Sequence, residues 1–413
     1  MPSLLRPLRR RTVALLWGGL SLSAVGDQLF NVVLGWLAVE SFGERAGLVP
    51  AVQAGVLLVT ALLAGRVADA LAHRTAMIAA DLLRAAVLGG MVATWLVLGH
   101  PPAWTLIAAV LALAIGQAFF RPALMAIIPS LAPTAELPAT NALFDTTERI
   151  ARLLGPGLIG VAAAALPLVH FVSLDVATFL ISATAVALLP RSATRDAPFV
   201  RQSLWESLAR GFIAVRRDAL LGFVLSLTGV INGAWYLAYF IGLPLMLVQG
   251  GVTSGIAAFG AVISAYGLTN LITTLIVGSR PLSRHPGRMI FGGNLFLGSG
   301  ILLLGVAGLV LPPDWMLAGL MGSALLSAIG GPMQDITVAT RRQTVLPRTE
   351  IAAGTRAFVV LSQAGSLIAL LVSPLLFGAI GVAPAVMLCG ICVLGVCVAG
   401  LLRFWGQSML PEA

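Results

Sequence analysis

The chain has 413 residues, 59% of them hydrophobic and 10% charged, with a formal net charge of +9 at pH 7. A soluble domain carries roughly 25% charged residues, and no soluble fold could hide this much apolar surface. The apolar runs are continuous and do not alternate as the lipid-facing and lumen-facing residues of a membrane barrel would, which leaves an all-α membrane protein.

A hydrocarbon core about 30 Å thick takes about 20 helical residues. Twelve apolar runs meet that length, and they predict spans near 12–39, 47–66, 76–98, 103–128, 139–166, 168–189, 218–248, 254–278, 289–311, 314–338, 351–379 and 382–404. Several are long, so tilted or broken helices are expected. At the N-terminus, Arg9, Arg10 and Arg11 followed by Val13 to Leu22 and the small residues Ser21, Ser23 and Ala24 mimic a secretory signal. The apolar run continues to Val39, too long for a signal h-region.

All 25 basic residues are arginine. They gather in the N-terminal arm, on alternate breaks and in the tail, while Arg45 stands in a loop of the other side. The positive-inside rule therefore predicts a multi-pass protein of the cell (inner) membrane with both termini cytoplasmic. The positive charge follows from topology, so no nucleic-acid partner is expected. Cys389, Cys392 and Cys397 all lie in the last span, where small buried hydrophobes are a better reading than redox or metal chemistry. No cofactor and no metal are expected.

The longest internal break carries Arg191, Arg195, Arg201, Arg210, Arg216 and Arg217. It divides the chain into an N-terminal six-helix bundle (1–190), a cytoplasmic linker (191–217) and a C-terminal six-helix bundle (218–413). Within the linker, residues 204–212 have an amphipathic pattern; a helix on the inner leaflet and a solvated linker both fit it. The halves read as a duplicated unit. Pro133, Glu136, Leu137, Ala139 and Phe144 are matched at constant offset by Pro347, Glu350, Ile351, Ala353 and Phe358. A looser match pairs Asp27 with Asn232. Two pseudo-symmetric bundles are a common architecture for a transporter with its site at the repeat interface.

Between spans 2 and 3 the chain reads Gly65, Asp69, His73 and Arg74 at the spacing G-x-x-x-D-x-x-x-(R/K)-(R/K), which resembles the loop signature of the major facilitator superfamily. Ala70, Ala72 and His73 depart from its usual basic, glycine and basic residues. Gly155, Pro156 and Gly160 in span 5 are similar to the G-P-x-x-G-G motif of antiporters in that superfamily, with Ile159 in place of one glycine. Gly26 with Asp27, Ala80 to Ala85, and Phe119 to Ala123 leading to Asn141, Ala142 and Leu143 resemble the branch containing the enterobactin exporter and the macrolide-efflux proteins. The arginine that many members carry inside span 4 is missing from Ala108 to Gly116. The resemblance implies the major facilitator fold of twelve transmembrane helices, small-molecule and proton partners within the lipid bilayer, and siderophore-like or drug-like (multidrug) substrates.

A charge at the bilayer centre costs at least about 2.5 to 3.5 kcal/mol, so ionisable residues within spans mark functional candidates. Asp27 is the leading proton-coupling candidate, flanked by Gln28 and Asn31; a helix–helix polar contact is the other reading. Asp81 and Arg84 lie three residues apart on one helix face and can neutralise each other. Asp145 with Arg149 and Glu148 with Arg152 are i,i+4 pairs, either lining a cavity or solvated at a helix start. Asp175, Asp335 and His170 are expected nearer the interfaces. At the matched register of the repeat, Asn232, Ser362, Gln363 and Ser366 replace Asp27, Glu148, Arg149 and Arg152. A division of labour follows: protons in the N-terminal half, and in the C-terminal half a neutral substrate surface including Asn232, Trp235, Tyr236, Tyr239 and Gln363. The same aromatics also fit packing or an interfacial belt.

The expected function is a secondary active transporter that exports a small amphipathic molecule by proton antiport with alternating access. A lysolipid-type flippase or an uptake symporter on the same fold is the alternative. No P-loop motif is present. The four histidines, His73, His100, His170 and His285, are scattered, so an enzyme is not expected.

Overall fold

The computed structural model describes residues 6–67, 73–133, 136, 140, 143, 144, 147, 150, 151, 155, 158, 159, 162, 166–190, 204–251, 255–279, 285–347 and 350–406. Among these every regular element is helical. That is the form a single segment can take in hydrocarbon while satisfying its own backbone.

A 3-10 turn, Arg6–Arg9, leads into α1 (Arg11–Phe42), which passes through a second 3-10 turn, Gly43–Gly47, into α2 (Leu48–Val67). Then come α3 (His73–Leu98), α4 (Ala103–Leu131) and α5 (Leu168–Ala187). Gly99 at φ +77 ends α3 in a conformation that favours glycine, and Pro102 opens α4. The described positions between 140 and 162 are mainly helical and belong to the fifth predicted span. The remaining elements are α6 (Leu204–Arg216), α7 (Ala219–Trp235), a π-helical segment Tyr236–Gly242, α8 (Leu243–Gln249), α9 (Gly255–Ser279), α10 (Pro286–Val310), α11 (Pro313–Ser327), α12 (Gly330–Val345), α13 (Ile351–Ile380) and α14 (Val382–Phe404).

Among the described residues, ten stretches are long and apolar enough to cross a bilayer. The first, Arg11–Leu57, covers the first predicted span and about half of the second, because helical structure runs unbroken from α1 through the turn Gly43–Gly47 into α2. The protein is a multi-pass membrane protein.

Packing divides the chain into two compact units, Met1–Ser41 with Val52–Arg201, and Phe42–Ala51 with Gln202–Ala413. The first is held by Leu16, Met77, Phe120, Ile127, Phe144 and Val186. In the second, Phe291 and Phe404 stack with ring centroids 6.1 Å apart, and Phe223 packs on both. Gly229 on α7 and Gly365 on α13 bring their backbones together: a Cβ on Gly365 would lie 2.2 Å from the Gly229 Cα. Such small-residue crossings are how membrane helices approach without a hydrophobic drive.

The amphipathic stretch predicted at 204–212 forms α6 and is docked on the second unit. A Cβ on Gly211 would meet the Ala353 carbonyl oxygen at 2.2 Å, and Ala214 and Val215 are fully buried. The helix buries Gly211, Ala214 and Val215 and leaves Glu206, Ala209 and Arg210 exposed.

The glutamates of the two matched sequence segments each pair with an arginine. Arg10, just before α1, donates to Glu136 at 2.9 Å. Arg217, just before α7, pairs with Glu350 at 3.2 Å. Each glutamate of the matched sequence segments thus meets an arginine just ahead of a long helix of its own unit, α1 in the first and α7 in the second.

Candidate functional site

Three acidic residues of the first unit converge on one guanidinium. Asp81 of α3 is fully buried and accepts a hydrogen bond from Arg84, one turn along the same helix. The Arg84 Nε donates to the Ala80 carbonyl at 3.3 Å, and its Cζ stands 4.4 Å from the Phe179 ring centroid and 5.0 Å from that of Phe120. Desolvated aromatic faces hold a guanidinium well, so this charge is fixed in place. Gly116 of α4 makes room for it: a Cβ there would lie 2.7 Å from the Arg84 Cδ. Arg84 of α3 thus lies beside the stretch of α4 from Ala108 to Gly116 that carries no charge of its own.

Asp175 of α5 is also fully buried. Its Oδ1 accepts from the Thr178 hydroxyl at 3.1 Å, and its Oδ2 has no hydrogen-bond partner among the described residues. Gly26 of α1 faces it, and the next residue, Asp27, is near enough to repel both Asp81 and Asp175. Asp175, expected nearer an interface, is packed inside the first unit against α1. Asp175 lies seven residues into α5, about 10 Å by helical rise, and meets the charge cluster there.

Asp27 opens onto a cavity of about 170 Å³ lined by Ala24, Asp27, Gln28, Asn31, Gln53, Arg84, Leu113, Gln117 and Arg121. Small-molecule pockets usually measure about 300–1,000 Å³, whereas a water occupies about 30 Å³. The chamber therefore suits a few waters, a proton path or the polar end of a ligand. Gly155 closes against it, since a Cβ there would fall 2.4 Å from the Gln28 Cβ. Sequence reasoning found Asp27, Gln28, Asn31, Asp81, Arg84 and Gly155 and named Asp175 without joining it to them, but missed Gln53, Gln117, the cavity position of Arg121 and the two phenylalanines over Arg84. Glutamines inside apolar runs were the available signal.

Of the motif residues, Gly65 lies in α2 and His73 begins α3. Arg74 donates to the carbonyls of Val186, at 3.2 Å, and Ala187, capping the end of α5 within its own unit. Asp69, Asp145, Glu148, Arg149, Arg152, Pro156 and Gly160 lie outside the described residues.

In the second unit, Trp235, Tyr236, Tyr239 and Tyr266 form one aromatic cluster, with centroid separations from 5.0 Å for Tyr239 and Tyr266 to 5.9 Å for Trp235 and Tyr266. The cluster sits where α7 widens into the π-helical segment, a distortion often found at functional sites. Asn232 donates to its own helix at Thr228 O, 2.9 Å away, and Gln363 is half-buried on α13. Tyr266, unmarked in the sequence, joins from α9. At the Arg-rich end of α7, Asp218 accepts from Leu221 N at 2.8 Å and from Arg341 Nη2 at 2.7 Å, both side chains being buried.

A bundle of membrane helices that encloses a water-sized polar chamber beside buried, partly compensated charges is built as a membrane transporter. The Major Facilitator Superfamily model matches residues 16–369, and the chain belongs to that family, a transporter and not an enzyme. A comparison with curated proteins finds no match. Among solved structures, the fold is similar to a POT family transporter in complex with a thioalcohol conjugated peptide (TM-score 0.71, 12% identity, 95% of this chain and 96% of that one). It is similar also to an auto-inhibited POT family peptide transporter (TM-score 0.70, 13% identity, 97% and 98%). A bacterial homologue of the iron transporter ferroportin in an inward-facing state gives a TM-score of 0.66 at 15% identity, with 94% and 98% covered.

Proposed function

We propose that the protein is a secondary active transporter of the cytoplasmic (inner) membrane that exports a small amphipathic molecule in exchange for protons, with Asp27 as the proton-binding group. The observation that carries this reading is the chamber into which Asp27 opens, with two further carboxyl groups and one buried guanidinium behind it. Full ionisation of Asp27, Asp81 and Asp175 against Arg84 and the chamber's Arg121 leaves negative charge in excess, in a medium where a poorly solvated charge costs several kcal/mol. A proton on Asp27 relieves its repulsion with both neighbours. Asp27 is also the one of the three that water reaches through the chamber.

The chamber is too small for a drug-sized molecule, which supports a proton role for the first unit. Around the buried Tyr239, the half-buried Trp235, Tyr236 and Tyr266 of the second unit, with Asn232 on the same helix as Trp235, would supply apolar faces and polar tips for a siderophore-like or drug-like substrate. Alternating access would then couple the two, because a ligand shifts a conformational equilibrium only through its different affinity for the two states.

The test uses inside-out vesicles with an acidic lumen and a panel of amphipathic compounds. Antiport makes the lumen more alkaline on addition of a true substrate. A substrate that accumulates with no proton movement, or that moves together with protons, contradicts the proposal.

A further inference from the structure

A groove of about 490 Å³ runs between α1 and α5 of the first unit. The two helices touch at Gly19, where a Cβ would lie 2.7 Å from the Ala185 Cβ, and one residue earlier Gly18 has nothing within 4 Å. The walls are apolar and open outward: Leu15 is 36% exposed, Ile181 45% and Leu188 64%. In a membrane helix pair, such side chains face lipid.

The mouth of the groove is basic. Arg11 is the first residue of α1, and Ala14, Leu15 and Gly18 follow it at i+3, i+4 and i+7, so it stands over the groove on the same helix face. Arg9 precedes it in the 3-10 turn. Both are exposed, and neither forms an ion pair with a described residue, whereas Arg10 between them is held by Glu136 at 2.9 Å. On the opposite rim, Arg74 caps the last carbonyls of α5. From Arg11 to Gly19 the helix rises about 12 Å, within one leaflet of a hydrocarbon core about 30 Å thick.

We infer that this groove binds an anionic phospholipid, with an acyl chain lying along Leu15, Gly18, Ile181 and Leu188 and the headgroup phosphate held by Arg9 and Arg11. An apolar channel one leaflet deep with uncommitted guanidinium groups at its interfacial end matches that ligand in shape and charge. The bound lipid would brace α1 against α5, the two helices that carry Asp27 and Asp175. This inference does not rest on the transport reading.

The test is photocrosslinking in proteoliposomes with phosphatidylglycerol and phosphatidylethanolamine that carry a diazirine in the acyl chain, with the labelled peptides mapped by mass spectrometry. Residues 11–19 and 180–188 should be labelled more strongly by phosphatidylglycerol. The variant R9Q/R11Q should lose that preference by about fivefold per arginine and leave phosphatidylethanolamine labelling unchanged. G18L projects into the groove from a position where an added Cβ has nothing within 4 Å, and should strongly reduce labelling by both lipids while the protein folds normally, as its melting temperature checks. Equal labelling of the wild type by the two lipids, or an unchanged preference in R9Q/R11Q, overturns the headgroup assignment. Undiminished labelling of G18L overturns the groove as the seat of the chain.

Discussion

Gly26 of α1 and Asp175 of α5 approach so closely that a Cβ on Gly26 would stand 2.4 Å from the Asp175 Oδ1 and 2.4 Å from the Thr178 Oγ1. No real Cβ contact is that short, so Gly26→Ala must push α1 away from α5 or break the Thr178 hydrogen bond. Overpacking of this kind costs about 1–3 kcal/mol. Thermal unfolding of the purified protein should show a clear drop for Gly26→Ala and none for Gly18→Ala, where nothing lies within 4 Å. Equal melting of the two variants contradicts the packing described.

The charge cluster predicts an asymmetry between the partners of its ion pair. Arg84→Gln removes the buried cation and leaves three carboxyl groups facing one another, a loss of about 3–5 kcal/mol. Asp81→Asn leaves Arg84 with Asp27 and Asp175 still near it, and should cost about 1–3 kcal/mol. Denaturation of both variants at neutral pH checks the order. Reversal of the order would mean that Arg84 serves Asp81 alone.

Two ion pairs of the second unit should differ sharply. Arg217 and Glu350 are 64% and 27% exposed, so Arg217→Gln should change stability by no more than about 1 kcal/mol. Asp218 and Arg341 are 6% and 5% exposed, and Asp218 also caps α7. Asp218→Ala strands a buried guanidinium and a helix start together, and should cost about 3–5 kcal/mol. Melting temperatures of the two variants decide it.

Glu136 gives a pH dependence with a definite sign. The hydrogen bond from Arg10, reinforced by the charges of Arg10 and Arg6, holds its carboxyl below the ordinary value of 4.5. A depressed carboxyl contributes stability above its unfolded pKa and loses it as pH falls through the folded one. The melting difference between wild type and Arg10→Gln should therefore be constant at neutral pH and shrink below about pH 4.5 as the glutamate is protonated. A difference that grows on acidification contradicts the assignment.

Much of the fold was legible as runs of apolar residues, because a bilayer leaves a polypeptide few choices. The Asp81 and Arg84 pair was legible from spacing alone, since i,i+3 residues share a helix face. The register of Glu136 with Glu350 was legible too, but not the arginines that meet them, which lie 126 and 133 residues away. The surroundings of Asp175 were not legible, because they depend on Gly26, more than a hundred residues earlier. The chamber required Gln53 of α2 and the pair Gln117 and Arg121 of α4 to converge with Asp27 of α1, and convergence between helices leaves no local periodicity to read.

The central claim is that Asp27 binds the coupling proton, and the most direct measurement is substrate transport in inside-out vesicles by wild type and Asp27→Asn under an imposed pH gradient. The amide keeps the shape and hydrogen-bonding capacity of the side chain but cannot change its charge. The variant should fail to accumulate substrate uphill and still exchange labelled for unlabelled substrate at equilibrium. Uphill transport by Asp27→Asn with the wild-type pH profile would contradict the account and reduce Asp27 to a polar contact between helices.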